Sequence, residues 1–300
     1  MSKHSMTPLS ATSPAFPRHF RSTAVALALA ISALTQAQAR AHAQNPKALV
    51  AAAVQTELTA DRNDHAAFIY RDHDVTPDHD TLFYVVETPQ GSLKRKLADH
   101  GRPLTAEERR VDDLRIHALL SDTGAQQKQK RDSAHDDEQA EQMLKLLPTA
   151  FLWTITKENP ENITLAFKPD PAFDAQNMEA RVLSAMAGQI TVAREQNRIR
   201  SIKGSLVDDV KIGFGILGRL KQGGTFQVER REVVPHHWQV TESHVHIAGH
   251  ALFFKTIGSQ EDETRSEFKL SESPNLKAAY DVLEPNPVYQ CCAVKPPTTR

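Results

Sequence analysis

The sequence predicts an α+β protein with one large curved antiparallel β-sheet, half-barrel-like, packed against a few helices. Three observations carry that expectation. A helical segment near residue 50 precedes three strand-like runs joined by turn signals. Two further helical segments follow. From about residue 150 a series of strands recurs at hairpin spacing.

Taken in order, Leu49, Val50, Ala53, Val54 and Leu58 recur at helical spacing, and Pro46 suits a first turn. Residues 66–71 alternate as a strand, and residues 72–80 (DHDVTPDHD) read as a polar loop. Residues 81–88 are rich in β-branched and aromatic side chains. Pro89-Gln90-Gly91 marks a tight turn before a third strand at 92–98, completing a meander. Thr105 and Glu108 have capping-box spacing at the start of a helix that runs to about Leu120. Residues 121–132 read as flexible or as continuing helix, and 136–147 as a helix ended by Pro148. Hairpin strands are expected at 151–157 and 163–168, then a short helix at 178–186. Further strands are expected at 189–194, 198–207, 225–234, 238–246, 251–257 and 265–270. A short helix at 275–283 opens a proline-punctuated segment, 271–300, which reads as a mobile tail.

The first 43 residues contain Lys3, Arg18, Arg21 and Arg40 and no acid. Arg18 and Arg21 precede an apolar run of about 12 residues, Thr23 to Leu34. A spanning helix needs roughly 20 residues, so the run fits the core of a secretory signal peptide. Small-x-small sites follow at Ala37-Gln38-Ala39 and Ala41-His42-Ala43. Cleavage near Ala43 is preferred, with Ala39 as the alternative. The expected organisation is a signal peptide over 1–43, one α+β domain over 44–270, and a tail over 271–300. The mature chain is expected to lie in the periplasm or to be secreted, with no transmembrane segment. No cysteine follows the apolar run, which argues against lipid anchoring.

The 300 residues carry 36 Lys+Arg and 37 Asp+Glu, and removing the leader takes the formal charge from −1 to −5. That balance excludes a strong basic nucleic-acid footprint. Two cysteines, adjacent at 291 and 292, exclude a disulfide framework. Neither HExxH nor GxSxG occurs. The apparent dinucleotide fingerprint Gly213-x-Gly215-x-x-Gly218 is followed too soon by Gly223-Gly224 for a crossover helix, and reads as accidental.

The most suggestive constellation is Glu242 to His250, ESHVHIAGH. On a strand, Glu242, His244, His246 and His250 share one face unless Gly249 marks a bulge. His244, His246 and His250 are therefore candidate metal ligands, with zinc the candidate metal. The plainer reading is a polar sheet face without a cofactor. Asp72, His73, Asp74, Asp78, His79 and Asp80 form a second ligand-rich stretch without EF-hand spacing.

Several segments carry a resemblance. They are Glu87-Thr88-Pro89-Gln90-Gly91-Ser92-Leu93-Lys94-Arg95, Gly101-Arg102-Pro103-Leu104-Thr105, Glu179-Ala180-Arg181, Gly223-Gly224-Thr225-Phe226 and residues 241–250. The chain from about Val54 to Phe268 resembles a family of uncharacterised exported bacterial proteins of acidobacterial type. The resemblance implies one integrated domain and brings no activity. The order of elements is also similar to periplasmic lipoprotein-carrier and sigma-factor-regulator domains, whose curved sheet covers helices around an apolar cavity for acyl chains. That likeness is one of fold alone. It implies a lipid or an envelope protein as partner. Phe151, Leu152, Trp153, Ile163, Leu165 and Phe167 would then be core or cavity lining, as would Phe226, Val228, Phe253 and Phe254. Three functions remain open: binding of a lipid or apolar segment, metal-dependent catalysis on the His-x-His face, and a non-catalytic protein–protein interaction module.

Overall fold

The computed structural model describes residues 45–212, 218–251 and 259–283. The expected signal peptide, Phe253, Phe254, Cys291 and Cys292 lie outside the described residues.

Helix α1 (Pro46–Asn63) opens on Pro46 and buries Val50, Ala53, Val54, Glu57 and Leu58. These positions form one stripe at helical spacing, so the helix lies flat on a partner. The expected meander forms as β1 (Phe68–Val75), β2 (Asp80–Thr88) and β3 (Gly91–Asp99), with β4 (Arg102–Pro103) as a short edge. The loop expected at 72–80 is mostly strand. Its polar residues find partners across the strands: His73 Nε2 lies 2.7 Å from Asp80, His79 Nε2 2.9 Å from Asp74, and Lys94 Nζ donates to Asp72 at 2.7 Å. Thr76 Oγ1 accepts from the Asp78 and His79 amides and closes the short turn.

Helix α2 (Ala106–Ser121) carries the capping box read from Thr105 and Glu108. Helix α3 (Thr123–Ala150) follows at once, N-capped by Asp122. Residues 121–132 are thus helical, because Asp122 caps the helix and the Gln126 amide satisfies the last carbonyls of α2 at Leu119 and Leu120. Pro148 lies within the last turn of α3 instead of ending it.

The remaining elements are β5 (Phe151–Glu158), β6 (Asn162–Pro169), α4 (Met178–Leu183), β7 (Met186–Ala193) and β8 (Arg198–Leu206). Then come β9 (Val210–Ile212), β10 (Gly218–Leu220), β11 (Thr225–Val234), β12 (His237–Ile247), β13 (Gly249–Ala251), β14 (Ser259–Leu270) and α5 (Leu276–Leu283).

Eleven strands form one open antiparallel sheet in the order β4-β3-β2-β1-β14-β12-β11-β8-β7-β6-β5. Strand β14 returns to lie between β1 and β12 and so joins the meander to the second strand series. Strands β13, β10 and β9 form a separate three-stranded sheet. Gly218 pairs antiparallel with Ile212, which rules out the parallel crossover of a dinucleotide fold at this glycine motif. Where β7 and β8 cross, Gly188 pairs with Gly204. A Cβ at 188 would meet the Lys203 carbonyl oxygen at 2.0 Å, and one at 204 the Ala187 oxygen at 2.2 Å. Only glycine permits that approach.

The main core lies between α1, α3 and strands β5 to β8, and holds Phe151, Trp153, Leu165, Phe167 and Ile190. Of the residues expected as core or cavity lining, Phe151, Trp153, Ile163, Leu165 and Phe167 are core, whereas Leu152 is exposed. A second core packs α2 and α5 against β2 and β3 through Val86, Leu93, Ile116, Leu276, Ala279 and Leu283. The packed body therefore runs to Leu283, past the expected boundary at 270. The reason is the apolar stripe of α5, whose Leu276, Ala279 and Leu283 are all buried. Residues 284–300 lie outside the described residues.

Candidate functional site

A groove of about 510 Å³ opens between the C-terminal halves of α1 and α3 and strands β8, β11 and β12. Its volume falls in the ~300–1,000 Å³ range of small-molecule sites. Leu58, Leu144, Leu147, Ile199, Ile202, Val228 and Val240 give it apolar walls. Of the residues singled out from the sequence as cavity lining, Val228 alone among the described residues lines this groove.

A bulge sets which β12 residues reach it. Glu229 pairs with Glu242, but Arg230 pairs with Val240, so Thr241 is the extra residue. Strict alternation would put Val240 and Trp238 on the face of Glu242, His244 and His246. The bulge re-aims them, and both line the groove beside Arg230.

Charge is concentrated at one point of this wall. Glu57, 5% exposed, projects from α1. Its Oε1 accepts from Arg198 Nε at 3.1 Å and from the Ile199 amide at 2.6 Å. Its Oε2 accepts from Arg198 Nη2 at 2.9 Å and from Arg230 Nη1. Burial pushes the Glu57 carboxyl up, but the bonds and charges of Arg198 and Arg230 outweigh that and hold it below its ordinary value. Arg198 also lies 5.7 Å over the Trp238 ring. Two guanidinium groups thus share one carboxylate.

Acids mark the rim. Asp64 bonds His237 Nδ1 at 2.9 Å, and Glu141 pairs with Lys145 at 2.8 Å. Asp61 and Asp137 line the groove with no hydrogen-bonded cation among the described residues. Partial burial, then the charges of Asp61 and Asp136, hold the Asp137 carboxyl above its ordinary value.

The histidine candidates lie elsewhere. His244 Nδ1 sits 2.6 Å from Asp262 Oδ1, and His246 Nε2 sits 2.9 and 3.1 Å from its two oxygens. Asp262 comes from β14, the strand paired with β12. Two of the three candidate ligands therefore converge, on a carboxylate. Burial raises the Asp262 carboxyl, and its bonds to His244 and His246 bring it below its ordinary value. His250 lies on β13, in the small sheet, with its backbone opposite Arg219. Among the described residues no group of three or more His, Cys, Asp or Glu is placed to hold a metal ion.

A third polar cluster lies between β1, β3 and β14. Asp72 is fully buried, accepts from Lys94, and lies 3.8 Å from Arg265 Nε. Glu263 Oε1 accepts from Arg265 Nε at 3.0 Å and Nη2 at 2.7 Å. Burial raises the Glu263 carboxyl; Arg265 opposes this, and hydrogen bonding to Asp72 adds to it.

Comparison with protein-family models, with characterised proteins and with solved structures finds no match in any of the three.

Glu57, Arg198 and Arg230 were not singled out from the sequence. One signal was present: Glu57 lies three residues after Val54 on the apolar stripe of α1, a position that demands a partner for a charge. Nothing local shows that the partners come from β8 and β11.

Proposed function

We propose that the chain is an exported protein that binds a lipid or another apolar segment in the groove between α1, α3 and the sheet. The observation that carries this reading is the groove's form. It offers about 510 Å³ walled by Leu58, Leu144, Leu147, Ile202 and Val228, with Arg198 and Arg230 gathered on Glu57 and the acids Asp61, Asp64, Asp137 and Glu141 on the rim. An apolar chain placed there leaves water, at about 25 cal/mol per Å² of apolar surface buried. The position of α1 and α3 over the sheet's apolar face suits an acyl chain better than a flat protein partner. The leader-like segment of residues 1–43 supports export to the periplasm or beyond. Among the described residues no helix is long and apolar enough to cross a membrane.

The test is calorimetric titration with 1-decanol, a neutral single chain. Ala60→Trp and Ala140→Trp fill the groove from its edge, where both alanines line it. The expected result is saturable binding by the native chain and its loss in both variants, with unchanged thermal unfolding. Decanol binding that survives both substitutions would place the apolar site elsewhere.

A further inference from the structure

The charges in the groove specify which end of an amphiphile it recognises. Glu57 carries one negative charge, and Arg198 and Arg230 two positive ones. Three-quarters or more of each of these side chains is withdrawn from water, Arg198 being 11% and Arg230 23% exposed. One positive charge is left over where solvent screening is weak. Arg198 spends Nε and Nη2 on Glu57, whereas Arg230 spends only Nη1. Among the described residues, Nε and Nη2 of Arg230 have no acceptor, and Arg230 lines the groove. A guanidinium fork with two open donors matches a carboxylate or phosphate oxygen pair.

The rim acids do not cancel this charge. Glu141 is already paired with Lys145, and Asp64 bonds His237 at the rim, where its side chain is about a quarter exposed. Asp61 and Asp137 are exposed, so water and salt screen them. Their effect falls on a head group that projects past the rim, where they disfavour further negative charge.

We infer that the groove takes a single-chain amphiphile whose anionic group docks on the open edge of Arg230, with its chain running along Ile202, Val228 and Leu144. This rests on the reading of the groove as an apolar-chain site. At about 510 Å³ the groove suits one chain better than two. The shared chemistry is an anionic oxygen group at the end of an alkyl chain. A free fatty acid and a phosphate-bearing single-chain lipid both supply it.

The test compares decanoate, decyl phosphate, 1-decanol and decylamine by calorimetric titration below their aggregation concentrations. The native chain is expected to bind decanoate or decyl phosphate at least about tenfold more tightly than decanol, with decylamine weakest, as a charge-assisted fork bond requires. Whichever anion binds more tightly names the source. Arg230→Gln leaves Glu57 paired with Arg198 and is expected to abolish the preference, so that the anions and decanol bind the variant with equal affinity. Arg230→Lys keeps the charge without the fork and is expected to fall between. Equal binding of decanoate, decyl phosphate and decanol by the native chain would overturn this inference and leave the apolar-chain reading standing. An anion preference that persists in Arg230→Gln would also overturn it. Failure of all four compounds to bind would remove the apolar-chain reading, and this inference with it.

Discussion

The carboxylate of Glu57 holds the guanidinium of Arg230, 173 positions away in the chain. Arg198, 141 positions away, bonds the same carboxylate. One buried acid thus ties the first helix to two strands of the sheet, and it does so in the wall of the groove. The contact fixes where α1 sits and leaves Arg230 with donors to spare.

Replacing Glu57 with Ala should be severely destabilising. It would leave two arginines without their counter-charge and the Ile199 amide without its acceptor. The expected loss is about 3–5 kcal/mol, the usual cost of breaking a buried ion pair from one side. Urea unfolding followed by circular dichroism measures it. A loss within about 0.5 kcal/mol, as at an ordinary surface site, would show that the triad does not hold α1 in place.

The same acid sets a pH dependence. Glu57 has a folded-state carboxyl held below its ordinary value of 4.5. Its contribution is therefore fully present above the unfolded value and is lost as pH falls through the folded one. Stability should decline below about pH 4.5 in the native chain, and Glu57→Gln should flatten that limb. Unfolding midpoints between pH 3 and pH 7 decide it; parallel curves for the two proteins would contradict the assignment.

Glu263 works in the opposite sense. Burial raises its carboxyl above the ordinary 4.5. Its protonated form suits the fold, so its contribution is present below that value and is lost as pH rises through the raised one. Glu263→Gln keeps an oxygen for Arg265, since Oε1 takes both bonds, and supplies an amide donor to Asp72. The variant should match or exceed the native stability at pH 8. A clear loss there would show that the ionised carboxylate is what the site needs.

Gly188→Ala and Gly204→Ala each place a methyl group against the facing backbone, at 2.0 and 2.2 Å. Strands β7 and β8 would have to separate. Each should cost about 1–3 kcal/mol, as overpacking does. Gly101→Ala serves as a contrast: a Cβ there meets nothing within 4 Å, so only its positive φ of 70° opposes the change. Thermal unfolding that ranks Gly101→Ala as the most damaging of the three would reverse the argument.

The sheet and most of its strands were legible because hydrophobic alternation and turn residues are local signals. Asn159, for example, closes the β5–β6 hairpin through its own side chain, which accepts from the Glu161 and Asn162 amides. The Thr105–Glu108 capping box was legible for the same reason. The polar stretch at 72–80 was not, since cross-strand partners such as Lys94 for Asp72 lie outside any local window. Pro148 misled because a proline is tolerated where the helix is about to end in any case. The groove was the least legible part. Its lining depends on the Thr241 bulge, which turns Val240 and Trp238 away from the histidine face, and no residue pattern marks that bulge. The His244–His246 pair was read correctly as sharing a face, but its partner Asp262 comes from a strand 16 to 18 positions away.

Native mass spectrometry of the chain, purified without detergent beside Ala60→Trp, addresses the groove's occupant without choosing a ligand in advance. The expected result is an adduct on the native chain, released on denaturation and identified as a single-chain lipid, and absent from Ala60→Trp. A bare mass for the native chain, or an equal adduct on both proteins, would contradict lipid binding in the groove; a stoichiometric metal mass instead would move attention to His244, His246 and Asp262.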